Sequence, residues 1–264
     1  MTRRFCALLC ALALVLLLGG CWSDDTADDS GEFWEDGLSG GETDTVEPSA
    51  APITAFALPY LQNGSLDPVA CSDGMQQTVG ALLYEGLFAL DGHFAPQNVL
   101  CSRYEHNDAF TSYTFYLRED VVFSDGSPLA AADVLATLRR AAQSERYGAR
   151  FANVSSMRIS GGALAVTLTR ADSAFPALLD IPIVKSGSEK NAVPLGTGPY
   201  LFVTDGDGAH LQRSGEWWQG KTLPLARIEL HAVKDADTAA YLFSSREVHL
   251  LSADLTGSAG ELRS

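Results

Sequence analysis

Three kinds of hydrophobic pattern follow one another along the chain. The first is an unbroken uncharged run of 14 residues, Phe5 to Leu18, directly after Arg3 and Arg4. It falls short of the ~20 residues that a membrane-crossing helix needs and suits the core of an export signal. The second, residues 22–50, is mostly polar and acidic, with Phe33 and Trp34 as its large aromatic pair, and predicts an extended tether. The third begins near Ile53, where short apolar segments alternate with turn signals. Ile53 to Pro59 predicts a buried strand. From Ser72 or Asp73, either a fitting N-cap, the residues Met75, Val79, Leu82, Leu83 and Leu87 recur on one helical face. Thr111 to Leu117 alternates as a strand, and Val121 to Phe123 predicts a shorter one. Ser124 to Pro128 is a turn, Ala130 to Ala142 a helix, and Ser156–Ile159 with Leu164–Leu168 a hairpin closed at Ser160-Gly161-Gly162. Phe175 to Leu179 is a short turn or helix, Val193 to Val203 a bend and strand, Ala226 to Val233 a strand, and Ala236 to Ser244 a helix. Mixed elements without a repeated period predict an α/β fold with a mixed sheet.

Charge sharpens this picture. The 264 residues hold 18 Lys+Arg and 33 Asp+Glu, a net charge of −15, which argues against nucleic acid and against basic attachment to anionic lipid. Residues 22–50 carry ten of those acids and no base, so the body from residue 51 has 23 acids against 16 bases. Leu18-Gly19-Gly20-Cys21 looks like a bacterial lipobox. Cleavage there would remove residues 1–20 and leave Cys21 as a lipidated N-terminus, since two or more acyl chains on one residue give stable anchoring. The expected location is therefore outside the cytoplasm, on the cell membrane. Once Cys6 and Cys10 depart and Cys21 is lipidated, Cys71 and Cys101 remain, an even pair that predicts a disulfide.

Catalytic chemistry finds no support. His93, His106, His210, His231 and His249 sit at no zinc-ligand spacing, and there is no HExxH, CxxC or Gly-x-Ser-x-Gly. Gly196-Thr197-Gly198 is followed by Pro199, which lacks the N–H that a phosphate loop needs. Glu119-Asp120 and Asp235/Asp237 read as solvated turn acids. The enzyme reading has no positive feature, no cofactor or metal is expected, and a secreted hydrolase lacks a nucleophile with a base.

Four segments in order resemble one family. Leu82-Leu83-Tyr84-Glu85-Gly86-Leu87 is similar to its early YEGL motif. Tyr113 to Glu119, Val122 to Leu129 and Ala132-Asp133-Val134 resemble its signature block. Pro194 to Tyr200 resembles its GTGPY bend, and Trp217 to Lys221, Ile228 to Leu230 and Ser245 to His249 its later strand–helix segment. This is the family of extracellular solute-binding proteins of ABC importers, the oligopeptide/dipeptide class, family 5. Each motif also has a local reading. Gly126 supplies a tight turn, Asp133 lies near the positive end of a helix, Arg118 makes a structural ion pair, and Gly196 and Gly198 let the chain reverse.

The resemblance implies a periplasmic-binding-protein type II-like clamp that takes an oligopeptide or dipeptide between two lobes and presents it to an ABC transporter permease. It carries Ser72, Asp73, Gly74 and Tyr147 over as ligand-binding positions. Full members are roughly twice this length, so the expected layout is signal peptide 1–20, acidic tether 21–50, and a first lobe 51–254 with an inserted subdomain at about 85–190. Residues 255–264 would begin a second lobe that is otherwise missing, and weak or no ligand binding by this chain alone is expected. Nickel chelate, haem, sugar and opine remain open as ligand classes. A non-transport surface lipoprotein that uses the lobe for interaction or sensing is the alternative.

Overall fold

A computed structural model describes residues 55–206, 208–215 and 217–252. The expected signal, the Cys21 lipidation site and the tether lie outside them. The first strand, β1 (Ala57–Leu61), starts later than predicted. It leads to helix α1 (Gly74–Leu83), whose N-cap is Asp73. Two short strands, β2 (Phe88–Leu90) and β3 (Pro96–Asn98), pair with each other. Next come β4 (Cys101–His106), β5 (Ser112–Leu117), α2 (Ala131–Ala142), β6 (Val154–Ser160) and β7 (Ala163–Leu168). The chain closes with β8 (Tyr200–Asp205), β9 (Gly208–Arg213), β10 (Arg227–Val233) and α3 (Ala236–Ser244).

These elements build two four-stranded sheets. The first has the order β1-β10-β9-β8, with β1 and β10 parallel and the remaining pairs antiparallel, so it is a mixed sheet. The second, β4-β5-β7-β6, is antiparallel throughout. Each has its own core. Leu58, Val79, Leu83, Tyr84, Leu211 and Ile228 fill the space between the first sheet and α1. Phe115, Leu138, Leu164 and Phe175 lie between the second sheet and α2. Leu87, expected on the α1 face, packs in that second core, because α1 ends at Leu83.

Several local expectations hold for the expected reasons. Gly161 and Gly162 have φ of 57° and 80°, as a two-residue hairpin turn requires. Gly126 turns at φ 79°. The Asp133 carboxylate accepts from the Ala130 N–H at 3.0 Å at the start of α2, and Arg118 pairs with Asp120 at 2.7 Å. Other segments differ. Val121 to Phe123 makes only one bridge, Val122 to Pro128, and β4 went unrecognised because all its residues after Cys101 are exposed and polar or amphipathic.

Among the described residues the outer edge of β1 is covered without a neighbouring strand. The Ala57 carbonyl accepts from the His249 N–H at 2.9 Å, and the Ala57 N–H donates to His249 Nδ1 at 3.0 Å. Pro59 has no N–H to offer, and the side chain of Gln76 pairs with both backbone groups of Leu61. Satisfying these groups removes a template for unwanted strand addition.

Candidate functional site

The chain crosses between the two sheets twice, at Tyr84–Leu87 going out and at Asp180–Val184 coming back. The crossings bond to each other. Gly86 bridges Pro182, and the Ile183 N–H donates to the Glu85 carbonyl at 2.9 Å. Beside them lies a cleft of about 260 Å3. Cys71, Gln76, Gln77 and Gly80 line it from the α1 side, and Arg146, Tyr147, Arg150, Asp180 and Pro182 from the side of the second sheet.

Three arginines come near this cleft, with different partners. Arg140 is ion-paired with the buried Asp67, and Arg150 with Asp180. Arg146 donates to the Cys71 carbonyl at 3.0 Å and to Gln77 Oε1 at 2.9 Å, and among the described residues it has no ion pair. Its guanidinium therefore keeps charge for an anionic group. Arg146 and Arg150 both approach the Tyr147 ring, with guanidinium carbons 4.9 and 5.0 Å from the ring centre.

The positions expected to bind ligand separate here. Tyr147 lines the cleft from a buried position, 3% exposed. The Asp73 carboxylate is engaged in capping α1, accepting from the N–H groups of Met75 and Gln76 at 2.9 and 3.0 Å. Gly74 is the first residue of that helix and lies against Ser252, and Ser72 is exposed just before it. None of these three lines the cleft. Arg146 was not singled out, although Arg139, Arg140, Arg146 and Arg150 stand out in an otherwise acidic chain.

The expected disulfide is not formed, and Cys71 and Cys101 are both buried free thiols. Cys71 Sγ faces the Asp73 carbonyl in the turn before α1, and Cys101 Sγ faces the Arg103 carbonyl at the start of β4. Each sulfur is held in its own local contact. Burial raises the pKa of the Cys71 thiol and pushes that of Cys101 up to about 11.

The motif segments meet at a single carboxylate that the sequence reading passed over. Glu85 accepts from Thr197 Oγ1 at 3.0 Å, Trp218 Nε1 at 2.6 Å and Gln219 Nε2 at 2.8 Å. Burial raises its pKa, and these donors work against that shift. The Trp217 N–H lies near enough to lower the pKa as well, without hydrogen-bond geometry.

The model for bacterial extracellular solute-binding proteins, family 5 Middle, matches residues 95–262. The chain belongs to this family. A relative, the glutathione-binding protein GsiB of Escherichia coli strain K12, is 31% identical over 198 residues, covering 69% of this chain and 39% of that protein. This family 5 chain thus spans about two fifths of the length of the curated relatives it matches. Two solved structures share the fold. NikZ of Campylobacter jejuni in complex with Ni(L-His) aligns with a TM-score of 0.58 at 20% identity, over 74% of this chain and 42% of that one. DppA of Helicobacter pylori in complex with the peptide STSA aligns at 0.57 and 19%, over 74% and 45%. The α/β lobe with its mixed sheet is therefore of the periplasmic-binding-protein type II-like kind, as expected. No helix among the described residues is long and apolar enough to cross a membrane.

Proposed function

We propose that this family 5 protein is the binding component of an ABC importer, anchored by lipid at Cys21, that captures short peptides outside the cytoplasmic membrane and passes them to a permease. The observation that carries this reading is the cleft beside the two crossings, where, among the described residues, the guanidinium of Arg146 stands without an acidic partner beside the Tyr147 ring. A peptide carries a carboxylate to meet that guanidinium, and Tyr147 and Gln77 supply apolar surface and an amide group for its body. Relatives add support. GsiB is named for glutathione, itself a peptide, and DppA is bound to one. Ser72, Asp73 and Gly74, outside the cleft lining, belong to this reading only through their backbone at the start of α1, where Ser72 is exposed. Function rests on binding and release, with no covalent step.

Thermal unfolding of the full chain with glutathione, or with a mixture of di- to pentapeptides at millimolar concentration, tests this. Ligand at its dissociation constant stabilises by about 0.4 kcal/mol and at a hundred times that by about 2.7 kcal/mol. Weak binding is expected of a chain that spans about two fifths of its relatives' length, so the expected result is a small rise at millimolar peptide that Arg146→Ala removes. An equal rise in the variant would overturn the reading, and no rise would overturn it for this chain by itself.

A further inference from the structure

Glu85 sits where the two halves of the lobe join, and its side chain does more than fill that junction. Its own segment is the outgoing crossing, and its carbonyl accepts from Ile183 on the returning one. Its carboxylate then gathers donors from two further segments, Thr197 ahead of β8 and Trp218-Gln219 in the loop between β9 and β10. That loop belongs to the first sheet. Yet the Trp218 ring packs against the core of the second sheet and carries the Arg118 guanidinium, from the end of β5, 4.6 Å from its centre. Through Trp218 a single carboxylate ties a loop of one half to the body of the other.

The same junction forms a wall of the cleft. Pro182, bridged to Gly86, lines it, and so does Asp180 two residues earlier. We propose that Glu85 is a positioning residue whose half-buried carboxylate holds the two halves at a fixed angle, and that this angle keeps the cleft beside Arg146 narrow. This rests on the cleft being the binding site. Glu85 then sets the width available to a ligand without touching it. The role needs acceptor oxygens more than charge. An amide at position 85 keeps one carbonyl for the Trp218 N–H, and the Thr197 hydroxyl and Gln219 amide can reorient to accept from its NH2. An alanine leaves the buried Thr197 and the half-buried Trp218 and Gln219 donors unpaired.

The two free thiols make a direct readout. Cys71 lines the cleft, and Cys101 lies in the core of the second sheet, 0% exposed. Local opening of the cleft uncovers the first alone, and global unfolding uncovers both. The experiment labels the full chain with a maleimide at one fixed pH and follows the two cysteine peptides separately by mass spectrometry. In Glu85→Ala the Cys71 rate is expected to rise about tenfold with the Cys101 rate unchanged, and Glu85→Gln is expected to keep the wild-type rate. Trp218→Phe keeps an aromatic ring and removes one donor, so it covers the case of an unfolded alanine variant. It is expected to raise the Cys71 rate about threefold, again without Cys101. Unchanged Cys71 rates in Glu85→Ala and Trp218→Phe would overturn the proposal. Parallel rises at both cysteines in Trp218→Phe would do the same, because the carboxylate would then serve only overall stability. No ligand enters this measurement, so its failure is separate from a failure of peptide binding.

Discussion

Gly196 and Gly198 show how one residue type answers two different demands. The bend they form suggests glycine for a chain reversal, but neither has a positive φ. The demand is space. A Cβ on Gly196 would stand 2.2 Å from the Leu83 carbonyl oxygen, and one on Gly198 2.5 Å from the Leu83 carbonyl carbon. The bend thus presses on the C-terminal end of α1, where the Gly198 N–H also donates to the Leu83 carbonyl at 2.9 Å. Gly126 is the opposite case, with a φ of 79° and open space around it. Gly198→Ala must displace backbone and is expected to cost about 3 kcal/mol or more of unfolding free energy. Gly126→Ala pays only for the left-handed conformation, about 1 kcal/mol. Urea unfolding of the two variants checks the order, and equal losses would refute the close-approach account.

At the scale of elements, α1 connects the sheet, the cleft and the crossing. Its start was legible because Asp73 precedes an apolar face at helical spacing, and the carboxylate does cap the helix. Its end was not, because Leu87 continues the periodicity while belonging to another core. Asp73→Ala is expected to lose about 1 kcal/mol of stability and Asp73→Asn to lose almost none, since an amide oxygen caps as well as a carboxylate. Chemical denaturation of both variants decides this, and equal losses would show that the cap is not what Asp73 supplies. The hairpin of β6 and β7 and the start of α2 were equally legible. In each a local rule, paired glycines or an acid in the first helical turn, meets no tertiary opposition. The strand β4 was hidden because its outward residues carry no apolar period, and only pairing with β5 identifies it.

On the scale of the whole molecule, two carboxylates respond to pH in opposite directions. Lys185 and Ser127 hold Asp125 down at about 2. The stability it contributes is present above the ordinary carboxylate range and is lost as pH falls toward 2. Glu85 is raised above its usual 4.5 by burial. The folded protein therefore favours its protonated form, and stability falls as pH rises from 4.5 through the folded pKa. An amide at position 85 removes that dependence. The unfolding free energy of Glu85→Gln relative to wild type is expected to grow from acid toward neutral pH. A difference that stays flat across that range would show that Glu85 titrates normally.

The sequence by itself determined the class of fold, the family and most helices and hairpins. These follow from apolar spacing, turn chemistry and ordered motifs, which are properties of neighbours along the chain. The signal, the tether and Cys21 are also sequence readings, resting on composition and on the residues around one cysteine. Tertiary structure alone decided which of the motif residues meet. Glu85, Thr197 and Trp218 are more than a hundred positions apart in part, and no local rule joins them. It also decided against a bond between Cys71 and Cys101, since an even count of thiols carries no information on where each sulfur points. It drew Tyr147 into the cleft and kept Asp73 as a cap. Arg146 became a candidate anchor only once the fold had given Arg140 and Arg150 their acids, because a free charge is defined by its neighbours in space.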